Sequence, residues 1–282
     1  MSIQTETIPI EIFNMQSIIT TKYTDSLIKI KAVVLFTNGI GMKQSYYRDI
    51  AIYFAHQGYL SITFDYLGIG ESLENNIKLV ETNLQGWINQ IDLVIDHLVT
   101  NYSTLPLYYI AHSFGGQVFG LLKNKAHITR AVFISTPNGY WRDSKRKLQY
   151  FIGWYVIFPY QIIRKGYFPS NKFRLGENIP KNAMKQWIKW CRSKNYLLDD
   201  NSLDNIDQYG KYQGKVLEIC FTDDEYFNKN AFNLIVNNYG NVVDQRFIQP
   251  NEFGLNRVGH NGFYKEKCKG GLWVLVLQWI EA

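Results

Sequence analysis

The string Ala111-His112-Ser113-Phe114-Gly115-Gly116 sets a serine between two small residues, with the apolar run Leu107 to Ile110 before it and Gln117 to Leu122 after it. That order predicts a tight strand-to-helix turn, a nucleophile elbow. The serine takes strained backbone angles there, and small residues two positions to either side let strand and helix approach. A serine hydroxyl is a weak nucleophile near neutral pH, so it needs a base within hydrogen-bond reach and an acid to orient that base. On such a scaffold both follow later in the chain, acid before histidine.

Of the five histidines only His260 follows the acidic candidates, in the Gly-flanked loop Val258-Gly259-His260-Asn261-Gly262-Phe263 before the last helix. It is the candidate general base. His56 and His97 fall in helical patterns, His112 belongs to the turn, and His127 precedes a strand, so each reads as structural. The acid is expected just past the apolar run Val216 to Phe221, where Thr222-Asp223-Asp224-Glu225 offers three carboxylates. Spacing alone does not separate Asp223 from Asp224. A tetrahedral intermediate also requires two backbone N–H donors, one from Phe114 directly after the nucleophile and one from the loop Thr37 to Met42. A small-x-Ser-x-small string by itself arises by chance in many chains; its weight comes from the acid loop and the late histidine that accompany it.

The elements that must carry these residues are legible as alternation. Lys31 to Phe36, Tyr59 to Phe64, Pro106 to Ile110, Ala131 to Ser135 and Val216 to Phe221 are short apolar runs, as expected of parallel strands buried on both faces. Between them, Ser45 to His56, Leu84 to Val99 and Gly116 to Lys123 carry apolar residues at helical spacing, which predicts a doubly wound sheet with right-handed crossovers. Ile8 to Phe13 and Ser17 to Tyr23 read as a hairpin or meander on one edge. A helix over Asn230 to Asn238, a strand over Val242 to Ile248 and a helix over Gly271 to Glu281 complete the chain. Gly39-Ile40-Gly41 and Gly68-Ile69-Gly70 lack the third glycine of a dinucleotide fingerprint, so they predict tight turns after strands, with Asp65 structural.

Charge is segregated. From Tyr140 to Tyr196 there are 13 Lys and Arg against only Asp143 and Glu177, a formal +11, which leaves −5 for the rest of a chain whose net charge is +6. The same stretch holds Trp141, Trp154, Trp187 and Trp190, and it breaks the strand-helix alternation, so it reads as a cap over the site. Its basic, aromatic character suggests an acyl substrate with a hydrophobic chain or an acidic group, or weak contact with an anionic membrane surface. The apolar runs Phe151 to Ile163 and Leu272 to Ile280 fall short of the roughly 20 residues that span a bilayer. No recognised nucleic-acid motif accompanies the basic stretch, and no nucleic-acid partner is expected. Three cysteines without paired or metal-like spacing read as free thiols, with no metal site. Met1 to Gln16 lacks a secretory pattern, so a cytoplasmic location is expected.

On these residues the chain resembles the α/β-hydrolase superfamily. Tyr46-Tyr47-Arg48, Phe64-Asp65-Tyr66-Leu67-Gly68-Ile69-Gly70-Glu71-Ser72, Asn138-Gly139-Tyr140-Trp141-Arg142, Gly166-Tyr167-Phe168-Pro169 and Trp187-Ile188-Lys189-Trp190-Cys191-Arg192 are similar to a bacterial group of predicted α/β-hydrolases in the serine aminopeptidase-like branch. The resemblance implies a mostly parallel eight-stranded sheet flanked by helices, with a hydrolase core over 1–138 and 212–282 and a helical cap over 139–211. It implies a triad of Ser113, Asp224 and His260, the acid chosen by the register with which family strands enter this loop, and no metal or organic cofactor. Asn38-Gly39 stands where many relatives carry His-Gly, which makes Ile40 the second oxyanion donor, with Gly41 and Met42 as alternatives. Ala111, Asn38 and Leu67 depart from the usual pattern.

The expected activity is a cofactor-independent serine hydrolase cleaving a carboxylic ester or related acyl bond of a small molecule through an acyl-enzyme. A peptidase, thioesterase or acyltransferase would use the same serine chemistry, and a non-catalytic binding protein could keep the scaffold.

Overall fold

Five runs of consecutive apolar residues form the middle of one sheet, because a strand covered on both faces has no side to give to water. The computed structural model describes residues 2–12, 16–74, 76–239 and 243–282. Its strands are β1 (Ile3–Ile12), β2 (Gln16–Asp25), β3 (Ala32–Thr37), β4 (Tyr59–Phe64), β5 (Leu107–His112), β6 (Ile128–Ile134), β7 (Tyr167–Phe168), β8 (Ile179–Pro180), β9 (Lys215–Phe221) and β10 (Val243–Ile248). Eight of them form one sheet in the order β1-β2-β4-β3-β5-β6-β9-β10; β7 and β8 pair separately. The β1-β2 and β2-β4 pairs are antiparallel and the other main-sheet pairs parallel.

The helices are α1 (Arg48–Ala55), α2 (Leu84–Asn101), α3 (Phe114–Gln117), α4 (Lys147–Ile152), α5 (Phe158–Lys165), α6 (Lys181–Arg192), α7 (Asn233–Tyr239) and α8 (Val274–Glu281). Alternate residues of β3 go to opposite faces: Val33 and Leu35 join a core with Trp87 and Ile91 of α2, while Ala32, Val34 and Phe36 join one with Phe54 of α1 and Val276 of α8. Parallel register aligns Thr37 with Ala111, His112 with Ile134, and Phe221 with Ile248. The loops after β3, β5, β6 and β9 therefore leave the same edge of the sheet, where ligands of such sheets bind.

Two sequence expectations need correction. The N-terminal hairpin is longer than predicted, pairing Ile3 with Asp25 through Ile12 with Gln16. Its outer strand is mostly exposed, so Gln4, Thr5, Glu6 and Thr7 carry no apolar signal. The predicted ends at Phe13 and Val242 lie outside the described residues. The helix expected over Gly116 to Lys123 is instead the short α3 followed by a 3-10 turn, Phe119–Leu121. It stops there because the amides of Lys123 and Asn124 donate to the Asp92 carboxylate at 3.1 and 3.0 Å rather than to helix carbonyls.

Between β6 and β9, α4, one π-helical turn (Gly153–Ile157) and α5 run on as one helical rod over 147–165. α6 packs against α2, and Gln186 Oε1 accepts from the Leu84 N–H at 2.9 Å, satisfying an amide at the start of α2. The Asp200 carboxylate is buried, but Trp190 Nε1 at 2.7 Å, Gln186, Lys189 and Ser202 all donate to it. Burial raises its pKa and these donors outweigh burial, holding it below the usual carboxylate range. Cys191, Cys220 and Cys268 are free and buried.

Glu218 on β9 is the buried exception: Oε2 accepts from Gln245 at 2.8 Å, while Oε1 has no partner among the described residues. Burial pushes its carboxyl up to about 8 from 4.5. The native state then holds a proton that the unfolded chain releases, so stability falls as pH rises from about 4.5 to about 8. Glu218→Gln removes this dependence. Thermal unfolding of the variant is expected to lie a few degrees above the parent at the upper end of that window and near it at the lower end.

Candidate active site

Ser113 sits at the C-terminal tip of β5 with φ 48° and ψ −107°, a conformation that serine adopts only under constraint. The constraint is local. Its N–H donates to the Ile134 carbonyl at 3.0 Å, and its own carbonyl accepts from the amides of Gly116 and Gln117 at 3.0 Å. A Cβ on Gly115 would lie 2.4 Å from Thr37 Oγ1, and one on Gly116 would lie 2.7 Å from Thr136 Oγ1. Glycine is what lets α3 approach β3 and the end of β6 this closely.

His260 Nε2 stands 3.2 Å from Ser113 Oγ, and His260 Nδ1 stands 2.7 Å from Asp224 Oδ2. Asp224 Oδ1 accepts from the amides of Tyr226 and Phe227 at 2.8 and 3.2 Å. The imidazole and carboxylate are both buried, at 8% and 1% exposure. Burial raises the Asp224 pKa, but the His260 ring and the two amides outweigh it, so the group lies below its ordinary value and is ionised near neutral pH. An ionised Asp224 fixes the proton on Nδ1 and leaves Nε2 free to accept from the serine.

The neighbouring acids act on the histidine's backbone. Asp223 accepts from the amides of Val258 and Gly259 at 2.9 and 3.0 Å, and Glu225 Oε2 accepts from the His260 amide at 3.1 Å. Arg257 pairs with Glu225 at 3.2 Å. Three consecutive carboxylates thus hold three parts of one loop: Asp223 its approach, Glu225 its backbone at His260, Asp224 the ring. By spacing alone Asp223 and Asp224 compete for one role; the signal for the work of Asp223 and Glu225 is the run of acids itself.

His112, read from sequence as part of the turn, links two loops. The Gly39 amide donates to Tyr47 Oη at 3.0 Å, Tyr47 Oη donates to His112 Nδ1 at 2.9 Å, and His112 Nε2 faces the His260 carbonyl at 3.3 Å. Burial, together with the adjacent His260, lowers the His112 pKa to about 3, so the ring is neutral, with its proton on Nε2. Asp65 likewise joins loops, accepting from the amides of Gln44 at 2.7 Å and Glu71 at 3.0 Å.

Among the described residues, neither the Phe114 nor the Ile40 amide has an acceptor. Phe114 opens α3, where helical amides point outward without partners. Ile40 follows Gly39, whose missing side chain lets the loop lie against the His112 ring; a Cβ there would be 3.0 Å from Nδ1. The Met42 amide is engaged, donating to the Gly39 carbonyl at 3.1 Å. Asn38 Nδ2 anchors the loop on the Phe64 carbonyl at 2.6 Å. No group of three or more His, Cys, Asp or Glu among the described residues is arranged to hold a metal ion.

A family model described as serine aminopeptidase, S33, matches residues 28–176, more than half of the chain. The chain belongs to this family. It is an α/β serine hydrolase in fold and class. The matched stretch contains the elbow and ends before Asp224 and His260. Among solved structures, a soluble variant of monoglyceride lipase from Saccharomyces cerevisiae is 14% identical with a TM-score of 0.71, covering 98% of this chain and 95% of that one. An esterase from Exiguobacterium antarcticum is 14% identical, TM-score 0.62, covering 97% and 99%. The thioesterase domain from the curacin biosynthetic pathway is 16% identical, TM-score 0.59, covering 98% and 99%. No curated protein matches the sequence. At these identities the structural likeness speaks for the fold of this family member, and its site rests on its own geometry.

Asp223→Ala frees the Val258 and Gly259 amides and loosens the backbone that aims the His260 ring. The rate of covalent labelling of the serine by a fluorophosphonate is expected to fall roughly 10- to 100-fold, as small misplacements of a reacting group do. Asp223→Asn, which keeps an acceptor oxygen, should recover much of it.

Proposed function

We propose that the chain hydrolyses a carboxylic ester of a small molecule through Ser113, His260 and Asp224. The observation that carries this is the continuous contact from Ser113 Oγ to His260 Nε2 at 3.2 Å and from His260 Nδ1 to Asp224 at 2.7 Å. Ser113 Oγ attacks the acyl carbonyl as His260 Nε2 takes its proton. Asp224 holds the ring and stabilises its charged form without itself taking the proton. The Phe114 and Ile40 amides receive the oxyanion. Collapse expels the alcohol, which takes the proton from Nε2, and water activated by the same nitrogen then opens the acyl-enzyme.

Residues 139–211 serve as the cap in this reading. Tyr226 and Phe227 lie 5.3 and 6.1 Å from the His260 ring, and Phe227 in turn meets Tyr150 of the rod at 6.2 Å, an apolar approach suited to an acyl chain. An aminopeptidase needs a carboxylate to hold the substrate's ammonium. Of the six acids over 139–211, Asp143 accepts from Asn138, Glu177 pairs with Lys43 at 3.4 Å, Asp199 accepts from Asn195, Asp200 from Trp190 and Lys189, and Asp204 and Asp207 are exposed, which favours the ester over a cationic peptide terminus.

Fluorophosphonate labelling of the purified protein tests the assignment. Labelling is expected in the parent and lost in both Ser113→Ala and His260→Ala, and Asp224→Asn should lower turnover of p-nitrophenyl esters by about 10³- to 10⁴-fold. Labelling that survives Ser113→Ala removes the nucleophile assignment, and an unlabelled parent removes the hydrolase mechanism.

A further inference from the structure

Eight of the eleven large apolar side chains exposed among the described residues lie between Leu148 and Ile163. They are Leu148, Phe151, Ile152, Tyr155, Val156, Ile157, Tyr160 and Ile163, all on the rod formed by α4, the π turn and α5. Spacings of three and four residues gather most of them into one outward stripe, with Ile163 84% and Leu148 72% exposed. The opposite side of the rod is also apolar but packed: Trp154 is buried, 5.0 Å from Trp187 and 4.9 Å from Phe158, which reaches Phe168 at 4.8 Å. A helix apolar on both sides, one covered and one bare, has a surface that water does not explain.

Cations frame the bare side. Arg146 and Lys147 stand at its start, Arg164 and Lys165 at its end, and no acid occurs from 144 to 176. Arg192 lies over the Tyr155 ring at 4.5 Å, its guanidinium donating to the Trp154 carbonyl. Pairing this stripe with that of a second copy, parallel or antiparallel, would bring one basic cluster against another. An anionic lipid surface satisfies both features at once: the apolar side chains enter the acyl boundary and the cations meet headgroup phosphates. Among the described residues no helix is long and apolar enough to cross a membrane, which fits a rod lying in the interface.

We propose that the outward face of residues 147–165 docks the protein on anionic membrane surfaces. The rod's start is pinned to the candidate acid loop: the Lys145 amide donates to the Tyr226 carbonyl at 2.9 Å, and Lys145 Nζ donates to the Asp224 carbonyl. Docking therefore holds the rim of the proposed site against the lipid. This link to the site rests on the serine hydrolase reading; docking itself does not.

The test is flotation of the purified full chain carrying Ser113→Ala, so that no lipid is consumed, with vesicles of phosphatidylcholine alone or with about a quarter phosphatidylglycerol. At low salt the protein is expected to float with the anionic vesicles, at least about tenfold more than with the neutral ones, and to be released by salt. Leu148→Ser/Val156→Ser/Ile163→Ser and, separately, Lys147→Glu/Arg164→Glu should each reduce flotation about tenfold with unchanged thermal unfolding, because these side chains are exposed. Absence of flotation, equal flotation on both vesicle types, or undiminished flotation of the triple serine variant would overturn the proposal. So would a dimer in solution that the triple serine variant dissolves, which would assign the stripe to a second copy. Flotation reads docking without turnover, so failure of the labelling experiment leaves this result standing, and the reverse.

Discussion

The site depends on one residue held where its backbone does not rest by choice. Ser113, at φ 48°, stays there because β6 takes its amide and α3 takes its carbonyl, so relaxation would break hydrogen bonds at the centre of the sheet. The same geometry turns the chain from strand to helix in a single residue. It lifts Oγ off the sheet edge, aims the Phe114 amide outward, and requires Gly115 against Thr37. The lifted serine hydroxyl, the Phe114 amide without an acceptor among the described residues and the first glycine of α3 are consequences of one strained turn, which is why they sit in consecutive positions.

The histidine has no such turn of its own. His260 lies on a loop outside regular elements, and glycine at 259 with φ 64° leaves that loop backbone freedom. Asp223 and Glu225 remove it by taking the amides of Val258, Gly259 and His260, while Asp224 between them takes the ring. In an extended or turning segment alternate side chains point to different sides, so three adjacent carboxylates can hold one loop from three directions. A single acid could orient the ring but would leave its backbone to wander.

What was legible in the sequence follows from the range of the forces involved. The buried strands β3, β4, β5, β6 and β9 announce themselves as apolar runs because both faces are covered. The outer strand β1, exposed for most of its length, has a composition that says little about strand. The length of α3 is not written locally, because its end is set by Asp92, a residue from α2 that no local pattern connects to Lys123. The elbow, the acid loop and the late histidine were readable as types in order; that order cannot specify the 2.7 Å contact of Asp224 with the ring or the different work of Asp223. The apolar run Phe151 to Ile163 and the basic residues around it were legible as a candidate for membrane contact, but not which side of the helix stays bare. That depends on which side Trp187 and Phe168 cover.

His112 makes the same point about chemistry. Beside a serine, a histidine invites a proton-transfer role, yet its position excludes one. Fully covered, next to His260, it carries no charge until the pH falls to about 3, well below its ordinary 6.5. Neutrality is what lets it work as a connector, accepting from Tyr47 on one nitrogen and offering a proton to the His260 carbonyl on the other. Were it an imidazolium near neutral pH, Nδ1 could no longer accept the Tyr47 hydroxyl, and its charge would face the neighbouring His260 ring. Partners thus separate two buried histidines: His260 has Ser113 on one nitrogen and a carboxylate on the other, whereas His112 has neither and fixes the spacing between the Gly39 loop and the His260 backbone.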